Sequence, residues 1–118
     1  MSELTEKGHA GGFIISEANG WRSRAVVTIA AGQNLNAGAV LGKISGDGTY
    51  AVYDNDASDG TQAAAAILLD DCDASAEAKE ATVIIRDAEV NGEELVWQSA
   101  DEVTAGVADL LALGIVVM

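Results

Sequence analysis

Residues 24–44, RAVVTIAAGQNLNAGAVLGKI, carry the pattern from which the fold class is read. Val26, Val27, Thr28 and Ile29 form a β-branched run, and Leu35, Val40, Leu41 and Ile44 supply a second apolar series. Branched side chains lose little on a pleated surface, so both series favour strands. Between them stand Gly32, Asn34, Asn36 and Gly38, residues that tolerate the left-handed backbone of tight turns, which predicts two closely spaced turns. The expected unit is a compact antiparallel hairpin element. Apart from Thr28, its uncharged polar side chains between the two basic ends are Gln33 and the asparagines, so the stretch holds no catalytic group.

Working outward, Phe13, Ile14 and Ile15 make a strand-like run followed by an Asn19-Gly20 turn. On the other side, Gly46-Asp47-Gly48 marks a turn before Thr49-Tyr50-Ala51-Val52-Tyr53, where Tyr50 and Val52 share a face. Residues 54–60, DNDASDG, read as a polar loop, and the alanine-rich run 61–69 fits either a helix or a buried strand, with strand favoured at 65–69; residues 73–81 read as an exposed loop or single helical turn, and 82–86 as another strand. Val90-Asn91-Gly92 predicts a turn and Leu95-Val96-Trp97 a short extended piece. Ser99 with Glu102 forms a capping-box pattern, and Val103, Val107, Leu110 and Leu111 then recur at helical spacing. Gly114 ends that helix, and Ile115, Val116 and Val117 form a terminal strand. The expected fold is α+β: a mostly antiparallel β body with one packed C-terminal helix. Residues 1–12, polar and glycine-containing, are expected to be a flexible N-terminal arm, and residues 13–118 a single β-rich domain.

Composition excludes several classes. Nineteen acidic residues against six basic ones give a formal charge of −13, which repels a phosphate backbone or an anionic membrane surface. Neither a nucleic acid nor a membrane is expected as partner. No apolar run approaches the length needed to span a bilayer, and the polar N-terminus shows no signal-peptide pattern. A lone Cys72 cannot form an internal disulfide, so synthesis in a reducing cytoplasm is expected. The 49% apolar fraction is built of Ala, Val, Leu and Ile, with no proline and thirteen glycines to make the reversals.

The candidate chemistry is thin. Asp54, Asp56 and Ser58 fit the first positions of a calcium loop, but Asp59 stands where glycine is required and Ala65 where the bidentate glutamate belongs. Asp70, Asp71 and Asp73 flank Cys72 and should raise its thiol pKa through like charge. The one histidine, His9, lies in the arm. One Cys and one His do not make a structural zinc site, and the glycines fit no nucleotide-binding motif. Neither metal nor cofactor is expected. Trp21 and Trp97 read as core or subunit-interface residues.

The blocks Gly12-Phe13-Ile14-Ile15-Ser16-Glu17-Ala18-Asn19-Gly20, Arg22-Ser23-Arg24, Ala31-Gly32-Gln33 and Gly38-Ala39-Val40-Leu41-Gly42 stand in an order that resembles the head decoration proteins of tailed phages, the phage lambda decoration protein D family. Asp59-Gly60-Thr61-Gln62-Ala63-Ala64 with Ile67-Leu68, then Arg86-Asp87-Ala88-Glu89-Val90, Leu95-Val96-Trp97 and Leu113-Gly114-Ile115-Val116 continue the likeness over nearly the whole chain. The resemblance implies a non-enzymatic homotrimer on the capsid exterior of the virion. It would bind the major capsid protein of a tailed phage at threefold positions of the expanded head. It also implies that the arm orders against the coat protein, with Leu4, Thr5, Glu6, Lys7 and His9 as capsid-binding candidates and Phe13 and Ile14 at the arm's root. A second likeness competes. AGQNLNAGAVLGKI is similar to the hairpins of biotinyl and lipoyl carrier domains, but Lys43 and Lys79 lack the methionine neighbour of a carrier lysine. A subunit of a secretion or storage shell is a third reading.

Overall fold

A computed structural model describes residues 14–17, 23–46, 48–97 and 103–118. Among them the chain forms β1 (Ile14–Glu17), β2 (Arg24–Ile29), β3 (Gln33–Leu35), β4 (Val40–Lys43), β5 (Tyr50–Val52), β6 (Ala66–Leu68), β7 (Cys72–Ala74), β8 (Lys79–Ile84) and β9 (Ala88–Val90). A 3-10 turn (Gly92–Glu94), helix α1 (Val103–Ala112) and β10 (Ile115–Val117) follow. Strands β2, β5, β4, β6 and β8 close into a barrel, β1, β9 and β10 make a three-stranded sheet, and β3 pairs with β7. Six of the eight strand pairings are antiparallel, the exceptions being β9 with β10 and β2 with β5, so the body is mostly antiparallel as expected.

Strand alternation divides the apolar residues between two cores. Ile29, Leu41, Ala66, Leu68 and Val83 point into the barrel and are fully buried. Their neighbours Val40, Ile67 and Ile84 point the other way, into a second core completed by Tyr53, Val90, Leu95, Leu110 and Ile115. Helix α1 and the three-stranded sheet therefore cover one outer flank of the barrel, and the small aliphatic composition suits both close-packed interiors.

Residues 24–44 behave differently from a hairpin. Both expected turns exist, with Gly32 at φ 93° and Gly38 at φ 91°. However, β2 pairs with β8 and β5, β3 with β7, and β4 with β5 and β6. Each turn hands the chain to a new partner instead of folding it onto itself. Gly38 also permits a close approach, because a Cβ there would lie 2.6 Å from the Glu94 carbonyl oxygen.

Three further expectations need correction. Residues 73–81 are not simply a loop: β7 and the start of β8 lie within or against them, and β7 shows the buried, exposed, buried alternation of a strand that its aspartates obscured. Residues 88–90 form β9, the centre of the small sheet, just before the expected turn. The buried face of α1 is Gly106 and Leu110, four apart, whereas Leu111 is 60% exposed and Val103 lies at the surface. Gly106 takes that place because the ring of Trp97 lies against it. The expected arm, the Asn19-Gly20 turn, Trp21 and the Ser99/Glu102 capping box lie outside the described residues. No described helix is long and apolar enough to cross a membrane.

Candidate functional site

Cys72 is the thiol that the sequence sets among aspartates. It lies at the floor of a cleft of about 490 Å³ between residues 69–73 and 79–82. Burial is what mainly pushes its thiol pKa up, Lys79 opposes the shift, and Asp73 adds a smaller upward push. The direction matches the sequence argument, but desolvation outranks like charge as the cause. A thiol held this way stays protonated at neutral pH. Asp73 is not a base for it: its carboxylate accepts from the Ser75 hydroxyl at 2.6 Å and the Ser75 N–H at 3.1 Å, and these bonds hold its pKa below the usual range.

The acidic loop 54–60 uses its carboxylates locally. Asp54 Oδ1 accepts from the Asp56 N–H at 3.0 Å. Asp59 Oδ1 accepts from the Thr61 hydroxyl at 2.6 Å and the Thr61 N–H at 3.1 Å, which lowers its pKa. The Ser45 N–H and hydroxyl both donate to the Asp59 carbonyl, at 2.8 and 3.0 Å. The loop is thus a clasp over the end of β4, and Gly60, at φ 112°, lies where a Cβ would collide with the Lys43 carbonyl. Among the described residues, no group of three or more His, Cys, Asp or Glu side chains converges as metal ligands.

What remains is surface built for contact. β1 is an edge strand, paired with β9 on one side through a register with a bulge between Ile14 and Ser16. Ile14 packs half-buried against the outer core, while Ile15 is 53% exposed. Val116 on β10 and Met118 just after it are also exposed, and Val116 sits in register with Glu89, the residue that also pairs with Ser16. Among the described residues one side of β1 has no partner strand, and such an edge is a template for adding another strand. Of the capsid-binding candidates, the structure places Ile14; Leu4, Thr5, Glu6, Lys7, His9 and Phe13 lie outside the described residues. Sequence reasoning passed over Val116, whose exposure was hidden because Ile115-Val116-Val117 reads as a uniformly apolar strand.

Trp97 is held within the fold, edge-on to Tyr53 with centroids 6.1 Å apart at 73°. The likeness of residues 31–44 to carrier-domain hairpins has no structural counterpart, since β2, β3 and β4 do not pair with one another.

Compared with known proteins, residues 3–115 match the family model of bacteriophage lambda head decoration protein D. No curated protein matches the chain.

Proposed function

Because this chain belongs to the family of bacteriophage lambda head decoration protein D, structural and non-enzymatic proteins of the virion capsid, we propose that it works as a homotrimer on the exterior of the expanded phage head. In this reading the trimer sits at local threefold positions and cements neighbouring subunits of the major capsid protein against the pressure of packaged DNA. The observation that carries the reading is the family match along nearly the whole chain. The edge strand with which the first described segment begins supports it as well.

Residues 1–12 then act as the capsid-binding arm and residues 13–118 as the decoration body. Leu4, Thr5, Glu6, Lys7 and His9 contact the coat protein, and Phe13 and Ile14 anchor the arm to the body. Each arm adds a strand to a sheet of the coat protein, a contact whose main-chain hydrogen bonds are individually weak. Three arms on one rigid trimer raise the effective concentration of the second and third contacts, so the assembly holds far more tightly than one arm. The trimer carries 3 × −13 = −39 formal charges, which keeps free trimers apart in solution. Size-exclusion chromatography with light scattering tests the oligomer: the mass of three chains is expected, and a stable monomer over a wide concentration range contradicts it.

A further inference from the structure

Along its whole length β8 is bonded to β2, but on its other side the partner runs out. Ile67 and Leu68 pair with Ile84 and Val83, and the Leu69 N–H donates to the Thr82 carbonyl at 3.0 Å. The chain then bends away, and residues 72–74 pair with β3 instead. The Ile85 N–H donates to the Ser23 carbonyl at 2.8 Å, which sets the alternation of the ladder. Residues 79, 81 and 83 turn their backbone groups towards β2, and 80, 82 and 84 turn theirs to the opposite edge. The N–H and C=O of Glu80 therefore point into the gap left by the departing chain, where no described residue pairs with them. That gap is the 490 Å³ cleft lined by residues 69–73 and 79–82.

The charge around this open edge is one-sided. Among the described residues, Asp70, Asp71, Asp73 and Glu80 line it against Lys79, and all five side chains are exposed. We propose that the cleft is a docking site for a basic, extended peptide segment of another protein, which adds alongside β8 at Glu80 and sets its Lys or Arg side chains against these carboxylates. Main-chain bonds to an edge supply affinity, and the charges flanking it supply selectivity. A second copy of this chain is the wrong occupant, because its six basic residues are scattered among nineteen acidic ones. The site is independent of the arm: there this protein donates a strand, and here it accepts one.

An amide-resolved NMR titration of the full chain tests this, with acetyl-Val-Lys-Val-Arg-Val-amide as probe and the Glu-substituted peptide as control. Saturable shifts are expected at Leu69, Cys72, Glu80 and Thr82 with the basic peptide only, weakening as salt rises. Glu80→Pro removes the outward donor together with the Glu80 carboxylate while leaving the bonds of Lys79 and Ala81 to β2, and should weaken binding at least about five-fold, the loss of one hydrogen bond with the charge contact adding to it. Should that variant misfold, Asp70→Asn with Glu80→Gln keeps the shape, removes two charges and should weaken binding at least about three-fold. Equal response to the acidic control, shifts spread over every surface carboxylate, or unchanged binding by the charge-neutral pair would overturn the proposal. So would a Glu80 amide already protected from exchange in the free protein, since another copy would then cover the edge.

Discussion

Gly106 offers the sharpest test of how α1 is seated. A Cβ built on it collides with Cζ3 of Trp97 and lies 2.7 Å from Cη2 of that ring and 3.1 Å from Cε2 of Tyr53. Ordinary contact begins near 3.4 Å, so Gly106→Ala forces the helix or the indole to move by more than an ångström. The indole has little freedom to retreat, being packed edge-on against buried Tyr53. Overpacking of this kind costs about 1–3 kcal/mol, and a contact this short belongs at the upper end. Alanine returns about 1 kcal/mol of helix propensity, leaving a net loss of about 2 kcal/mol. For a chain of this size that is a fall in Tm of about 8 °C, read by near-UV circular dichroism and tryptophan fluorescence at fixed protein concentration. The second half of the test is Trp97→Phe, whose smaller ring lacks both clashing atoms. In the double variant the penalty of Gly106→Ala should shrink by about 1 kcal/mol or more, a coupling that a double-mutant cycle isolates. An unchanged or raised Tm for Gly106→Ala, or strictly additive penalties, would refute the packing described.

Other consequences are equally concrete. Leu110→Ala should destabilise by about 2–5 kcal/mol through a core cavity, whereas Leu111→Ala, on an exposed site, should stay within about 0.5 kcal/mol in thermal or denaturant unfolding. Equal losses would mean that the buried face of α1 is misassigned. Cys72 should react with a thiol reagent at neutral pH far more slowly in the native protein than in denaturant; equal rates would contradict its burial. Asp59 and Asp73 have carboxylates depressed by bonds from Thr61 and Ser75. A depressed folded-state pKa contributes stability above the unfolded value that is lost as pH falls through the folded one, so Tm should decline below about pH 4. Asp59→Asn combined with Asp73→Asn should flatten that decline, and an unaltered profile would count against these two groups.

The strand content was legible because β-branched runs and glycine turns are local signals. Val26 to Ile29 and Val40 to Leu41 were found for that reason, as was the left-handed Gly114 that closes α1. Pairing was not legible. Gly32 and Gly38 announce turns, but whether a turn folds a strand back or passes it on depends on partners distant in the sequence, such as Ala74 and Leu68, whose carbonyls accept from the Gly32 and Gly38 N–H groups at 2.8 Å. β7 escaped because Asp73 and its acidic neighbours resemble a solvated loop, although Cys72 and Ala74 on either side are buried. The helix face was misread for a related reason: hydrophobicity favoured Leu111, while the space actually filled by Trp97 required a residue without a side chain at 106. At the candidate site, the arm residues came from family resemblance, not from any physical pattern of their own. The open edge at Glu80 is a property of topology that no window of sequence contains.

The central claim, that the N-terminal residues fasten a decoration body to a phage head, is tested most directly by co-sedimentation with purified expanded heads. The full chain and a variant lacking residues 2–12 should elute as the same oligomer and melt alike, but only the full chain should pellet with the heads. Full binding by the truncated chain would contradict the account.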